Sequence, residues 1–156
     1  MFEVNVMSSV RLSRAVLQGM IDRNEGRIIF VSSECAQLVP EDLIAYSTTK
    51  ASLLAISRGL AQMTKGTNVT VNSVLPGSTL SEGAERFLNE EATKAGSSVD
   101  EVSSKFFKDV RTSSLIQRFS TTDEVANMIA YLASDLASAT NGAAIKVDGG
   151  SVPGIL

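Results

Sequence analysis

The chain has 156 residues, 44% hydrophobic and 20% charged, and fourteen Lys and Arg against seventeen Asp and Glu leave a formal charge of -3. That is the composition of one ordinary globular domain, long enough to bury roughly two-thirds of its unfolded surface without help from disulfides or a structural metal. Scattered basic residues exclude a nucleic-acid phosphate track, no apolar run is long enough to span a bilayer, and Met-Phe-Glu-Val-Asn is no secretory leader, so the expectation is a cytoplasmic protein.

Histidine is absent and Cys35 is the single cysteine. An intrachain disulfide, a His-based catalytic triad and a His-ligated zinc are therefore excluded, no metal site is expected, and Cys35 reads as an inert packed thiol.

From Val4 to Ile21, apolar Val6, Val10, Leu17 and Met20 recur at mostly three-to-four spacing among polar residues, which predicts an amphipathic helix ended by Asn24-Glu25-Gly26. Arg27–Val31 is a short, continuous β-favouring run, consistent with a strand buried on both faces. A second helix is predicted from Ala45 to Met63, stopped at Lys65-Gly66-Thr67-Asn68, and Val69–Leu75 reads as a second strand that ends where Pro76-Gly77 interrupts the ladder.

The stretch 78–117 has the weakest periodicity, with two short helical candidates, Ala84–Ala95 and Val99–Val110, and reads as a mobile insert over a site. Order returns at Thr121-Thr122-Asp123-Glu124, a capping box followed by Val125, Met128, Ile129 and Leu132 at helical spacing. Asn141-Gly142 then turns the chain into a last strand, Ala144–Val147. Helices alternating with short apolar strands, without hairpin-length loops, predict an α/β fold: a parallel sheet of about three strands flanked by helices. No linker divides it, so residues 1–156 are read as one domain.

Tyr46 and Lys50 stand four apart, on one face of the second predicted helix and in its first turns, just beyond a buried strand and a loop. Most such pairs are ordinary surface neighbours. At this position, however, an ammonium one turn from a phenol can stabilise the phenolate and let it exchange protons with a hydroxyl or carbonyl. Ser33, at the carboxyl end of the first strand, either hydrogen-bonds the same substrate oxygen or caps the next segment.

Together with Asn5, Val31-Ser32-Ser33, Tyr46-Ser47-Thr48-Thr49-Lys50-Ala51, Val71-Asn72-Ser73-Val74-Leu75-Pro76-Gly77 and Val147-Asp148-Gly149-Gly150, the chain resembles the short-chain dehydrogenase/reductase family in order and spacing along essentially its whole length. The resemblance implies a Rossmann-type fold, of which this would be the C-terminal half of the doubly wound sheet, and an NAD- or NADP-dependent oxidoreductase acting on a small alcohol or carbonyl substrate. It implies Tyr46 as general acid/base, Lys50 as the residue that lowers its pKa and binds the nicotinamide ribose, Ser33 as the group orienting the substrate oxygen, and Asn5 as the holder of a relay water. Pro76, Gly77, Thr79 and Ser81 match positions that receive the nicotinamide carboxamide, Ser81 standing where threonine is more usual.

The family's opening strand, its T-G-x-x-x-G-x-G turn and its N-N-A-G segment have no counterpart in these residues. Three readings follow: an active oxidoreductase, a truncated and silent fragment serving as an interaction subunit, or one half of a split enzyme completed by an N-terminal half. In each, the strand at 27–31 is expected to become a sheet edge, and homo-oligomerisation through helices 4–21 and 45–63 is expected by family resemblance.

Overall fold

Three parallel strands, β1 (Gly26–Val31), β2 (Val69–Pro76) and β3 (Ala144–Val147), form one sheet in the order β1-β2-β3 in the computed structural model, which describes residues 1–154. Gly26 pairs with Val69 and Val31 with Val74 along one side of β2; Ser73 pairs with Ala144 and Pro76 with Val147 along the other. β2 is thus the central strand, and Val69 to Leu75 are all buried.

Successive side chains of a strand point to opposite faces, and each face meets its own helix. Ile28, Phe30 and Val71 pack with Leu53, Ile56, Leu60 and Ala61 of α3 (Ile44–Met63). Ile29, Val74, Ile145 and Val147 pack with Val125, Met128, Ile129 and Leu132 of α6 (Thr122–Ala133). The α/β sheet flanked by helices is therefore as its residues imply. Thr121 caps α6: its side chain accepts from the Glu124 N–H while the Glu124 carboxylate accepts from the Thr121 N–H at 2.8 Å.

Three elements differ from the sequence expectation in instructive ways. The first helix begins as a π-helical turn, Glu3–Met7, before α1 (Ser8–Asp22) takes α geometry. β1 touches a helix layer on both faces, yet Gly26–Ile29 are only partly buried and Val31 is 49% exposed, because one edge of the strand has no neighbour among the described residues. Pro76 remains within β2 rather than ending it: a proline lacks only the donor, and its carbonyl still accepts from Glu34 N at 2.8 Å.

Residues 78–117 carry α4 (Glu82–Ala95) and α5 (Val99–Asp109), close to the two helical candidates, with Ser81 and Ser98 as their side-chain N-caps. This segment is tied to the residues before α6 and after β3 at several points. Thr79 bridges Ser120, the N–H groups of Leu115 and Ile116 both donate to Gly149 O, and Ser113 Oγ donates to Ser151 O. Phe106, Phe107 and Phe119 stack together at its base, ring centroids 5.0–5.2 Å apart. No helix among the described residues is long and apolar enough to cross a membrane.

Candidate active site

The carboxyl ends of parallel strands are where a sheet of this kind presents chain turns to a ligand. At that end of β1, Ser32 and Ser33 lead into the short helix α2 (Cys35–Leu38) and then a 3₁₀ turn, Glu41–Leu43, which delivers Tyr46 into the first turn of α3. Neither short element was visible in the sequence pattern, since four and three residues show no periodicity. Val39 ends α2 with φ 45°, a left-handed conformation unusual for a β-branched side chain, and the chain turns there toward Tyr46.

Ser33 is buried, and its Oγ accepts from Cys35 N at 3.2 Å. Both sequence readings of this serine are thus compatible, because the bond occupies the oxygen as acceptor and leaves the O–H proton to donate. Tyr46 is half-buried beside it. Burial pushes the Tyr46 phenol above its ordinary value, with the neighbouring Cys35 and Glu34 charges adding to the rise and hydrogen bonding from Ser33 opposing it. Lys50 Nζ lies 5.6 Å from the Tyr46 ring centroid and donates to Val31 O at 3.0 Å. Burial depresses its own pKa. The expectation that Lys50 lowers the phenol's pKa is therefore not met in this arrangement: the ammonium is turned to a strand carbonyl, and the phenol stays protonated at neutral pH.

Asn5, in the π-helical turn, reaches across to α3, where its Nδ2 donates to Thr49 Oγ1 at 3.0 Å and that hydroxyl donates to Tyr46 O at 2.7 Å. Asn5 and Lys50 line one groove of ≈ 460 Å³ along the free edge of β1, together with Val4, Leu12, Val16 and Phe30. Inserted turns of this π type frequently occur at functional positions, which gives the local geometry a reason.

At the end of β2, a Cβ on Gly77 would come within 2.7 Å of Asp148 Cα and 2.9 Å of Glu34 Oε2, so only glycine fits this crossing. Thr79 Oγ1 donates to Gly77 O at 3.0 Å. In the parallel bridge to Ser120 the flanking residues Ser78 and Leu80 make the bonds, which turns Thr79's own N–H away from Ser120. Ser81 Oγ caps α4 at 3.4 Å from Ala84 N. Asn5, Ser33, Tyr46 and Lys50 thus gather around the end of β1, and Pro76, Gly77, Thr79 and Ser81 follow in sequence from the end of the neighbouring β2. Sequence reasoning missed a buried ion pair at the same place, Arg111 Nε to Glu34 Oε1 at 2.9 Å, whose partners lie far apart in the chain.

Residues 1–152 match the family described as enoyl-(acyl carrier protein) reductase, a member of the short-chain dehydrogenases/reductases. The chain belongs to the short-chain dehydrogenase/reductase family. Two uncharacterized oxidoreductases of Bacillus subtilis (strain 168), YvrD and YvaG, are 51% and 48% identical to it over 151 residues; each alignment covers 97% of this chain and 57% of the relative. L-sorbose reductase from Gluconobacter frateurii, solved with NADPH and L-sorbose, superposes with a TM-score of 0.90 at 30% identity, over 99% of this chain and 57% of that one. The chain thus spans little more than half the length of the short-chain dehydrogenases/reductases it matches.

Proposed function

We propose that this chain carries the proton-transfer site of an NAD- or NADP-dependent oxidoreductase that interconverts an alcohol and a carbonyl on a small molecule. The observation supporting this most directly is the meeting of Ser33, Tyr46 and Lys50 at the carboxyl end of β1, with the Tyr46 phenol beside the Ser33 hydroxyl. The relatives are oxidoreductases, and the sorbose reductase was solved with NADPH, in keeping with the same reaction class.

The residues present fit the nicotinamide-ribose end of such a cofactor. Lys50 has donated one N–H to Val31 O, and two of its three donors remain for ribose hydroxyls. Gly77 leaves the end of β2 without a side chain, and the Thr79 N–H, turned away from Ser120, suits a carboxamide oxygen. Ser81 adds a hydroxyl whose oxygen already serves as a helix cap. The glycine-rich turn that holds the pyrophosphate in this family is not among these residues, so cofactor affinity of the chain by itself is expected to be low.

The bound nicotinamide would supply the hydride for reduction and take it for oxidation. The rest is done by side chains. Ser33 O–H donates to the substrate oxygen and fixes its direction. Tyr46, protonated at neutral pH, gives its proton to that oxygen as the carbonyl is reduced and takes it back when the alcohol is oxidised. Asn5 holds the first turn of the chain against Thr49 and faces the same groove as Lys50, where a water can pass the proton on.

The test uses this chain joined to, or complemented by, a glycine-rich N-terminal half of the family. Tyr46→Phe should abolish turnover while cofactor binding, followed by fluorescence of the reduced nicotinamide, stays near wild type; retained turnover would overturn the assignment. The raised phenol value also sets a sign. Alcohol oxidation, which needs the phenolate, should rise with pH well above neutrality, whereas carbonyl reduction, which needs the phenol, should be flat there and fall only at higher pH. A pH–rate profile in both directions measures this. A second reading, that the chain alone is a catalytically silent interaction subunit or one half of a split enzyme, rests on the glycine-rich pyrophosphate turn not being among these residues. Calorimetric titration with NAD and NADP separates the readings: heat at millimolar cofactor would sink the silent one.

A further inference from the structure

Glu34 follows Ser33 directly and is 3% exposed, one of the most deeply buried acidic side chains in the chain. Its backbone N–H donates to Pro76 O at 2.8 Å, joining the turn after β1 to the end of β2. Its carbonyl accepts from Gln37 and Leu38, forming α2. Its side chain reaches a third segment, since Oε1 accepts from Arg111 Nε at 2.9 Å just beyond α5. Oε2 is buried against Gly77 with no hydrogen-bond partner. Arg111 is itself largely buried, its guanidinium 5.8 Å from the Phe106 ring centroid.

A carboxylate buried on one charged partner, with its second oxygen unsatisfied, is a poor way to gain stability; an apolar pair of similar volume commonly does as well or better. What the arrangement does provide is a fixed charge. We propose that Glu34 and Arg111 form a positioning clasp, which locks residues 78–117 onto the strand ends and sets an anionic oxygen, capped by one guanidinium, beside the Ser33–Tyr46 pair. Neither residue touches the reacting atoms. They act through Tyr46.

Among the described residues, the charged and titratable groups around Tyr46 are Glu34 and Cys35 at the start of α2 and Lys50 of α3; Glu41 and Asp42 of the 3₁₀ turn are exposed, and Arg111 stands behind Glu34. Since Glu34 opposes phenolate formation and Arg111 offsets Glu34, removing one or the other should move the phenol in opposite directions. A clasp that merely held the fold would not produce opposite signs.

The chain suits this measurement because it has two tyrosines and no tryptophan. In a Tyr131→Phe background, near-ultraviolet tyrosinate absorbance reads Tyr46 alone. Glu34→Gln keeps the side chain's shape and an acceptor for Arg111, and should bring the Tyr46 midpoint to lower pH. Arg111→Met should bring it to higher pH, and Arg111→Lys should restore it toward wild type. Hydrogen exchange at Leu115 and Ile116, whose N–H groups bond Gly149 O, should speed up in Arg111→Met and not in Arg111→Lys. An unmoved midpoint in Glu34→Gln, or shifts of one sign in both variants, overturns the proposal; if Arg111→Met does not fold, Glu34→Gln decides alone. The inference rests on Tyr46 as the proton donor only for its consequence in turnover. A Tyr46→Phe enzyme that still turned over would overturn that assignment and leave the clasp standing.

Discussion

At the scale of single residues, charge and backbone geometry make the sharpest predictions. Glu124 accepts from Arg118 and from the Thr121 N–H, and these bonds, with Arg118 first, pull its carboxyl from an ordinary 4.5 down to about 2. A value depressed in the folded state means that the contribution is present above pH 4.5 and is lost as pH falls from there toward 2. NMR titration of the Glu124 carboxyl should find the low midpoint, and Arg118→Ala should raise it. Thr121→Ala, which removes the oxygen that caps α6, should cost about 1 kcal/mol of stability in chemical denaturation. Val39 gives the opposite sign. Its φ of 45° suits glycine far better, so Val39→Gly should be neutral or stabilising by up to about 1 kcal/mol, where an ordinary loop Val→Gly would destabilise. Of these features only the capping box was legible beforehand, because its four letters are consecutive. The left-handed Val39 and the Glu34–Arg111 pair depend on how distant segments pack, which no local pattern records.

Among elements, the long ones announced themselves. α3 and α6 carry a helical periodicity over whole turns, and the three strands stand out as short β-favouring runs entered from an Asn- or Gly-containing turn. The elements that escaped, α2 and the 3₁₀ turn Glu41–Leu43, are too short to repeat anything. They matter out of proportion to their length, since they set the path from Ser33 to Tyr46. Likewise the order Ser33, Tyr46, Lys50 picked out residues that meet at the end of β1, but the direction of the lysine did not follow from spacing: four residues along a helix fix the Cβ positions and leave the ammonium free to choose Val31 O. α6 covers one face of the sheet through Leu132, which is fully buried against the strand side chains. Leu132→Ala should therefore cost about 2–5 kcal/mol, read by denaturant unfolding, whereas Leu136→Ala, at a position 80% exposed, should cost little.

For the whole molecule, the sheet has a sealed centre and two edge strands, β1 and β3. β2 is sealed on both sides, while β1 offers the backbone groups of one edge and an adjoining apolar groove with Val4, Leu12 and Val16. Amides of β2 should exchange hydrogen far more slowly than those on the free side of β1. Leu12, Ile44 and Met63 are 69%, 60% and 63% exposed on α1 and α3, the helices expected to pair between copies. Sedimentation velocity should accordingly show concentration-dependent association that Leu12→Glu weakens. The register of the sheet has one more consequence, for time rather than stability. Gly26 must find Val69 and Ser73 must find Ala144, so no strand pair is local, and each requires a helix-bearing stretch to be closed before the pairing rewards it. The helices can form early and the sheet must form late. During that interval the valines and isoleucines of three strands lie open at once, and the yield of refolded protein should fall with concentration as encounters between chains outrun closure within one.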